Sequence, residues 1–238
     1  MNYILEKSTN IVLFYNSSKK QLSGKDAWAL FKPDLHKVVF SLDYNSDVGK
    51  VFKASISNGI AHEFIKKTVY LKVNHLGSRE LISWEDEIDE STETTDIPLT
   101  DEPFQKHVQG QGWQVDLVKK KEFLHNKVNF ICSQKIVSGF TSSALGSVHT
   151  YDSDRDDQLN LIGSVSQGTD VYYMCKNSEN PPVPDYRQHT AQQIKQVLAD
   201  GAQRKLFLLQ RANTLKLEIA SAQTNTQLIA INIDGGWQ

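Results

Sequence analysis

The sequence predicts an α+β protein: an N-terminal antiparallel β domain, an acidic linker, a second small α+β domain and a long C-terminal helix. Three observations carry this reading. Short runs of β-formers separated by turn residues recur at roughly 10–15-residue spacing through the first third of the chain. An acidic, Thr/Ser-rich stretch then breaks the pattern. Beyond Thr190 the apolar residues change to helical spacing and hold it for about 30 residues.

Residues 1–83 read as the β domain. Tyr3-Ile4-Leu5 and Ile11 to Tyr15 are the first strands, closed by Asn16-Ser17-Ser18 and Ser23-Gly24. A short helical piece is expected at Asp26 to Phe31, before Pro33. Val38 to Leu42, Val51 to Ile56 and Thr68 to Val73 follow as strands, with turns at Asp43–Gly49 and Asn58-Gly59. From Trp84 to Pro103 the chain carries Glu85, Asp86, Glu87, Asp89, Glu90, Glu93, Asp96, Asp101 and Glu102 with no Lys or Arg. A segment so charged repels itself and has little apolar area to set against its ordering entropy, so residues 84–103 read as an extended linker.

Residues 104–185 read as the second domain. Gly112 to Val118 and Lys127 to Cys132 are expected to pair as strands, with Lys119–Lys121 as a turn or edge guard. Asp154 to Gln167 reads as a helix: Leu159, Ile162 and Val165 share a face, and Asp156 and Asp157 suit the N-terminal dipole. Val171 to Cys175 is the last strand. Three prolines between Asn180 and Asp185 make a stiff connection. Residues 186–238 form the helical segment. Thr190-Ala191-Gln192-Gln193 fits a capping box, and the helix it opens is expected to reach about Ser221. Ile194, Leu198, Gly201, Lys205, Leu208, Ala212, Leu215, Ile219 and Ala222 fall at steps of four and three, a heptad seam weakened at Gly201 and Lys205. Val197, Leu206, Leu209 and Leu217 add apolar area beside it, so the helix wants more than one neighbour. Two arrangements satisfy the seam. The helix folds back on its own chain, or it packs on copies of itself; the pattern leans to the second, with Ile194, Leu198, Leu208, Ala212, Leu215 and Ile219 as the association or docking residues. A second capping box, Thr224 to Gln227, announces a short final helix.

Composition narrows the chemistry. The 26 Lys+Arg against 28 Asp+Glu leave a charge of −2, with no basic excess to hold a nucleic-acid backbone. Only Cys132 and Cys175 occur, too few for a disulfide framework or a cysteine zinc site. No run is long and apolar enough to span a membrane, and Met1 to Asn10 lacks a signal-peptide core, so no membrane insertion is expected. The knot Asp152 to Asp157 starts like a calcium loop, but Asp157 stands where Gly belongs and Gly163 where Glu belongs. Helix capping accounts for these acids. The seven histidines show no metal-ligand spacing, and His149 near Asp152 is the nearest to a site residue. No nucleophile elbow, phosphate loop or dinucleotide fingerprint is present. No enzyme activity, cofactor or catalytic residue is therefore expected.

Three blocks occur in order in the last third: Ser138-Gly139-Phe140-Thr141-Ser142-Ser143-Ala144-Leu145-Gly146-Ser147-Val148-His149-Thr150-Tyr151, then Asp157-Gln158-Leu159-Asn160-Leu161, then Arg187-Gln188-His189-Thr190-Ala191-Gln192-Gln193-Ile194 with Val197 and Asp200-Gly201. Together they make residues 136–238 resemble an uncharacterised domain family carried by tail proteins of tailed bacteriophages and prophages, whose members often sit beside tail-fibre and baseplate proteins. Members often carry a Trp before the His-Thr-Ala block, where Tyr186 stands here. Residues 1 to about 105 show no such likeness.

The resemblance implies a structural virion component, made in the host bacterial cytoplasm, that attaches or organises tail fibres at the baseplate or tail tip. Its implied partners are copies of itself, as a dimer or trimer, and tail-fibre or baseplate proteins. A tail-fibre assembly chaperone is the second reading. A receptor-binding tail protein is the third, for which exposed Trp28, Trp84 or Trp113 would be the contact residues.

Overall fold

The computed structural model describes residues 1–179 and 181–238. The fold is α+β, and the chain divides into two compact units, Met1–Gln114 and Val115–Gln238.

The first unit is built from short strands. β1 (Asn2–Glu6), β2 (Val12–Asn16), β3 (His36–Phe40), β4 (Ile56–Ser57) and β5 (Ile60–Ala61) form a sheet in the order β2-β1-β3-β5-β4, with the short helix α1 (Gly24–Ala27) between β2 and β3. Strand β1 lies between two antiparallel neighbours and is buried almost throughout, as its apolar run requires. Tyr3, Leu5, Val12, Val39, Phe52 and Ala54 make the core of this sheet. The expected strand over Val51 to Ile56 is reduced to a single bridge, Ile11 to Val51, and the start of β4. Phe52 and Ala54 reach the core from an irregular backbone instead.

A second sheet has the order β7-β6-β8, from β6 (Lys67–Leu71), β7 (Asn74–Leu81) and β8 (Glu93–Thr94). Strand β8 corrects the linker reading. The segment 84–103 is folded into the first unit, because its charges find partners distant in sequence. The Arg79 guanidinium grips Glu93 with two bonds of 2.6 and 2.8 Å, and Glu93 also accepts from the Asp89 amide. Asp86 accepts from the amides of Ile82 and Ser83, Glu87 pairs with Lys53, and Asp96 with His107. The Trp113 indole donates to the Asp96 carbonyl. A hairpin of β9 (Gln105–Val108) and β10 (Gly112–Val115) closes the unit. The boundary therefore falls near residue 115 rather than at an extended 84–103.

The second unit opens with α2 (Leu117–Val137), where the sequence reading placed a turn and a strand. Asp116 caps it by accepting from the Lys119 amide. The Val/Ile/Phe content that suggested a strand is arranged at helical spacing: Leu117, Leu124, Val128, Ile131 and Cys132 share one side. A four-stranded antiparallel sheet follows in chain order: β11 (Phe140–Ser142), β12 (His149–Tyr151), β13 (Val171–Lys176) and β14 (Pro184–His189). Between β12 and β13 lies α3 (Arg155–Ser166), opened by a capping box between Asp154 and Asp157, as the capping reading of the acidic knot expected. Of the stiff connection, Asn180 lies outside the described residues. Pro184 and Asp185 already belong to β14, an edge strand that tolerates a proline at its first position.

The last elements are α4 (Ala191–Ser221) and α5 (Asn225–Ile229), each opened by the expected capping box. The length of α4 has a plain cause: it serves two cores. Its first half packs Ile194 and Val197 with Phe140, Tyr151, Leu161 and Cys175. Its second half packs Leu208, Ala212, Leu215 and Ile219 with Val128 and Cys132 of α2 and with Leu228, Ile233 and Trp237. The Cys132 thiol reaches the Leu208 carbonyl and the Lys121 ammonium reaches that of Ala220, so α2 and α4 run antiparallel. The C-terminal tail is tied back along α4: Arg211 donates to the carbonyls of Asn232 and Gly235, and Arg204 to that of Trp237.

Candidate functional site

The seam predicted for self-association is where the sequence reading is corrected. Ile194, Leu208, Ala212, Leu215 and Ile219 are buried within their own chain, and Leu198 packs against the same core as Ile194. The helix takes the fold-back arrangement, because α2 and the tail offer a matching apolar face at the short distances a single chain allows. The two weak points of the seam have their own reasons. Gly201 has an ordinary helical backbone, but a Cβ there would stand 2.8 Å from Phe140 Cζ, so glycine lets the tip of the ring come close to the helix. Lys205 turns outward and its ammonium donates to the Gln158 amide oxygen, 2.9 Å away on α3.

With the inner seam and Val197 closed, the other apolar residues named beside the seam face solvent. Leu206 is 55% exposed, Leu209 48% and Leu217 62%. These are the residues that ask for a second neighbour, and nothing in the described unit covers them. Beside them, Phe140, Leu161, Ile162, Leu198, Gly201 and Ala202 line a small apolar cleft of about 180 Å³. This outward face of α4 is the strongest candidate for a functional surface.

The three sequence blocks of the last third come together in the sheet core. Tyr151 and His189 are fully buried, and their side chains meet at 2.9 Å. The His189 Nδ1 lies 2.8 Å from the Arg187 carbonyl, which can only accept. The proton therefore sits on Nδ1, and Nε2 accepts from the Tyr151 hydroxyl. Burial pulls the His189 imidazole below its ordinary pKa and pushes the Tyr151 phenol up. Burial likewise raises the Cys175 thiol, and with the Asp157 charge raises the Tyr173 phenol to about 12. These shifts all favour neutral groups. They describe a fixed hydrogen-bonded core, not a poised acid or nucleophile. His149 is also buried and bonds the Ser147 carbonyl at 2.9 Å, a turn role rather than a site role.

A more open cleft of about 480 Å³ lies between α3 and the sheet, lined by Asp152, Asp157, Asn160, Tyr173 and Tyr186 among others. Its acids are engaged: Asp157 in the capping box, and Asp152 with the Lys176 ammonium at 2.5 Å. Among the described residues, no group of three or more His, Cys, Asp or Glu is placed to hold a metal ion, and no helix is long and apolar enough to cross a membrane.

The tryptophans divide. Trp113 is buried between His75 and His107 and belongs to the core. The Trp84 indole donates to the His62 carbonyl and its ring packs edge-on to Phe64. Trp28 is half-buried, stacked on Phe14 and flanked by His36.

Residues 119–234 match a family described as a domain of unknown function (DUF4376). The match covers most of the second unit and none of the first. No curated protein and no solved structure matches the chain.

Proposed function

We propose that the chain is a structural tail component of a tailed bacteriophage or prophage, which attaches or organises tail fibres at the baseplate. The second unit is the common module in this reading, and the first unit carries the contact specific to this protein. The observation that supports it is the convergence of the three resemblance blocks. Phe140 and Tyr151 from the first, Leu161 from the second, and Ile194 and Val197 from the third pack into one core, with Gly201 admitting the Phe140 ring. Several of the residues that carry the likeness to phage tail proteins thus build one domain core. A domain specified by packing, with an apolar helix face left open, suits a protein that works by being joined to others.

The test is the composition of the particle. A tail component is present in purified virions at a fixed ratio to the fibre protein, and it is lost together with fibres when its reading frame is deleted. Production of complete fibres together with absence of the protein from the particle would assign it instead to fibre assembly as a chaperone.

A further inference from the structure

The antiparallel sheet of the second unit has an opening within it. Strand β13 pairs along its whole length with β14, but β12 reaches it only at Lys176, opposite Thr150. The Asn177 amide donates to the Val183 carbonyl at 3.2 Å, which sets the alternation of the β13–β14 ladder. Val171, Tyr173 and Cys175 turn their main-chain groups to β14. Tyr172 and Met174 turn theirs to the other side, where β12 has already ended at Tyr151. Among the described residues, no hydrogen bond engages the main-chain N–H and C=O of these two. In place of a continued β12, helix α3 runs beside this edge, and the cleft of about 480 Å³ lies between them. The Tyr173 side chain crosses it, donating to the Asp157 carbonyl at 3.1 Å. Asn160, Gly163, Ser164 and Gln167 form one stripe of α3 that lines the cleft, and a Cβ at Gly163 would meet nothing within 4 Å. We infer that this cleft takes an extended segment of a partner protein, which pairs with the open edge of β13 as an added strand and points a Lys or Arg at Asp157.

Three observations choose this occupant. The first is spacing. Tyr172 and Met174 repeat a donor and an acceptor about every 7 Å, and another extended backbone repeats its own at the same interval. The hydroxyls of a sugar have no such repeat. The second is that the edge is unguarded. The outer strand of the same sheet, β14, carries Pro184, Asp185 and Arg187, which discourage a stray strand from pairing. The open stretch from Val171 to Cys175 holds no charge and no proline. Helix α3 closes the far side, so one strand can enter and no sheet can grow beyond it.

The third is charge. Asp152 and Asp157 stand at the end of the cleft nearer β12, and no cation is among the residues lining it. Lys176, beside the cleft, takes Asp152. Asp157 accepts the Asp154 amide on one carboxylate oxygen, Oδ2, which leaves the other for a ligand. Burial and the neighbouring Asp154 and Asp152 hold its carboxyl above the usual range. An incoming ammonium or guanidinium relieves that repulsion. The open edge accommodates about four or five residues of strand, so the partner needs to offer only a short extended segment. The inference goes beyond the tail-component reading and does not depend on it.

The test uses the full chain and a random dodecapeptide library. Peptides are selected on the native chain and counter-selected on Gly163→Trp, which fills the cleft from an exposed position and leaves circular dichroism unchanged. Enriched peptides should carry a basic residue within a run of β-formers. In nuclear magnetic resonance they should shift the Tyr172 and Met174 amides and slow their hydrogen exchange. N-methylation of alternate peptide amides should abolish binding, a readout that stands even where a filled variant unfolds. Asp157→Asn should weaken a lysine-bearing peptide several-fold and leave the same peptide with alanine for lysine unchanged. No enrichment over Gly163→Trp overturns the inference. So do Tyr172 and Met174 amides already protected from exchange in the free chain, and so do peptides that bind with every amide methylated, which would mean capture by side chains alone. Maltohexaose moving the same amides while no peptide does would assign the cleft to a glycan instead.

Discussion

Gly201 sits mid-helix, where Ala would normally gain about 1 kcal/mol. Here the added Cβ would meet three Phe140 ring atoms at 2.8 to 3.2 Å. The Gly201→Ala variant should therefore lose about 1–3 kcal/mol in urea unfolding; a gain would show that Phe140 moves freely. Gly139 is constrained twice over. Its φ is +96°, and a Cβ would stand 2.7 Å from the Tyr151 carbonyl oxygen. The Tyr151–His189 pair gives a pH prediction. The His189 pKa is depressed in the fold, so the unfolded chain takes up a proton first as pH falls. The second unit should hold its full stability above about pH 6.5 and lose it progressively below, down to the lower folded pKa. Tyr151→Phe leaves the His189 Nε2 without its donor and should cost about 1–3 kcal/mol at neutral pH. Urea unfolding as a function of pH checks both.

Among the elements, α4 separates its two apolar sides by energy. Leu215 is fully buried between α2 and the tail, whereas Leu217, two residues on, is 62% exposed. Leu215→Ala should cost about 2–5 kcal/mol by leaving a cavity. Leu217→Ala should stay within about 0.5 kcal/mol in the monomer, a surface change away from caps and core. Denaturation of both variants at low concentration is the measurement. In the first unit, β8 depends on its ion pairs. Arg79→Ala leaves the Glu93 carboxylate with only the Asp89 amide, and should destabilise the first unit in urea unfolding. The bond from Arg79 holds Glu93 below the usual carboxylate range, and amides and hydroxyls do the same for Asp86 and Asp89. Depressed carboxyl pKa values stabilise the fold above the unfolded value near 4. That stability drains away as pH falls through the lower folded values, seen as an acid transition of the first unit that Arg79→Ala shifts upward.

At the scale of the whole chain, two units with separate cores should melt separately. Calorimetry of the full chain should resolve two transitions, and residues 115–238 expressed alone should reproduce one of them, because both cores of α4 lie inside that unit. A single transition, or an unfolded C-terminal piece, would show that the units depend on each other. The boundary near residue 115 also places α2 wholly within the second unit, in keeping with the DUF4376 match at residues 119–234.

The sequence by itself determined what depends on neighbours along the chain. The capping boxes at Thr190 and Thr224, the cap at Asp154, the reach of α4 to Ser221 and the strand at Val171 are local matters of spacing, hydroxyls and backbone amides, and they are legible residue by residue. Only the tertiary structure decided which apolar side of α4 faces inward, since Leu206, Leu209 and Leu217 share the helix with the seam and only the docking of α2 and the tail chooses between them. It turned Lys127 to Cys132 into helix, because a run of β-formers also fits a helix once a second helix lies beside it. It also folded the acidic stretch, because Lys53, Arg79 and His107 bind its carboxylates from across the unit and supply attraction where the sequence displays only like charge.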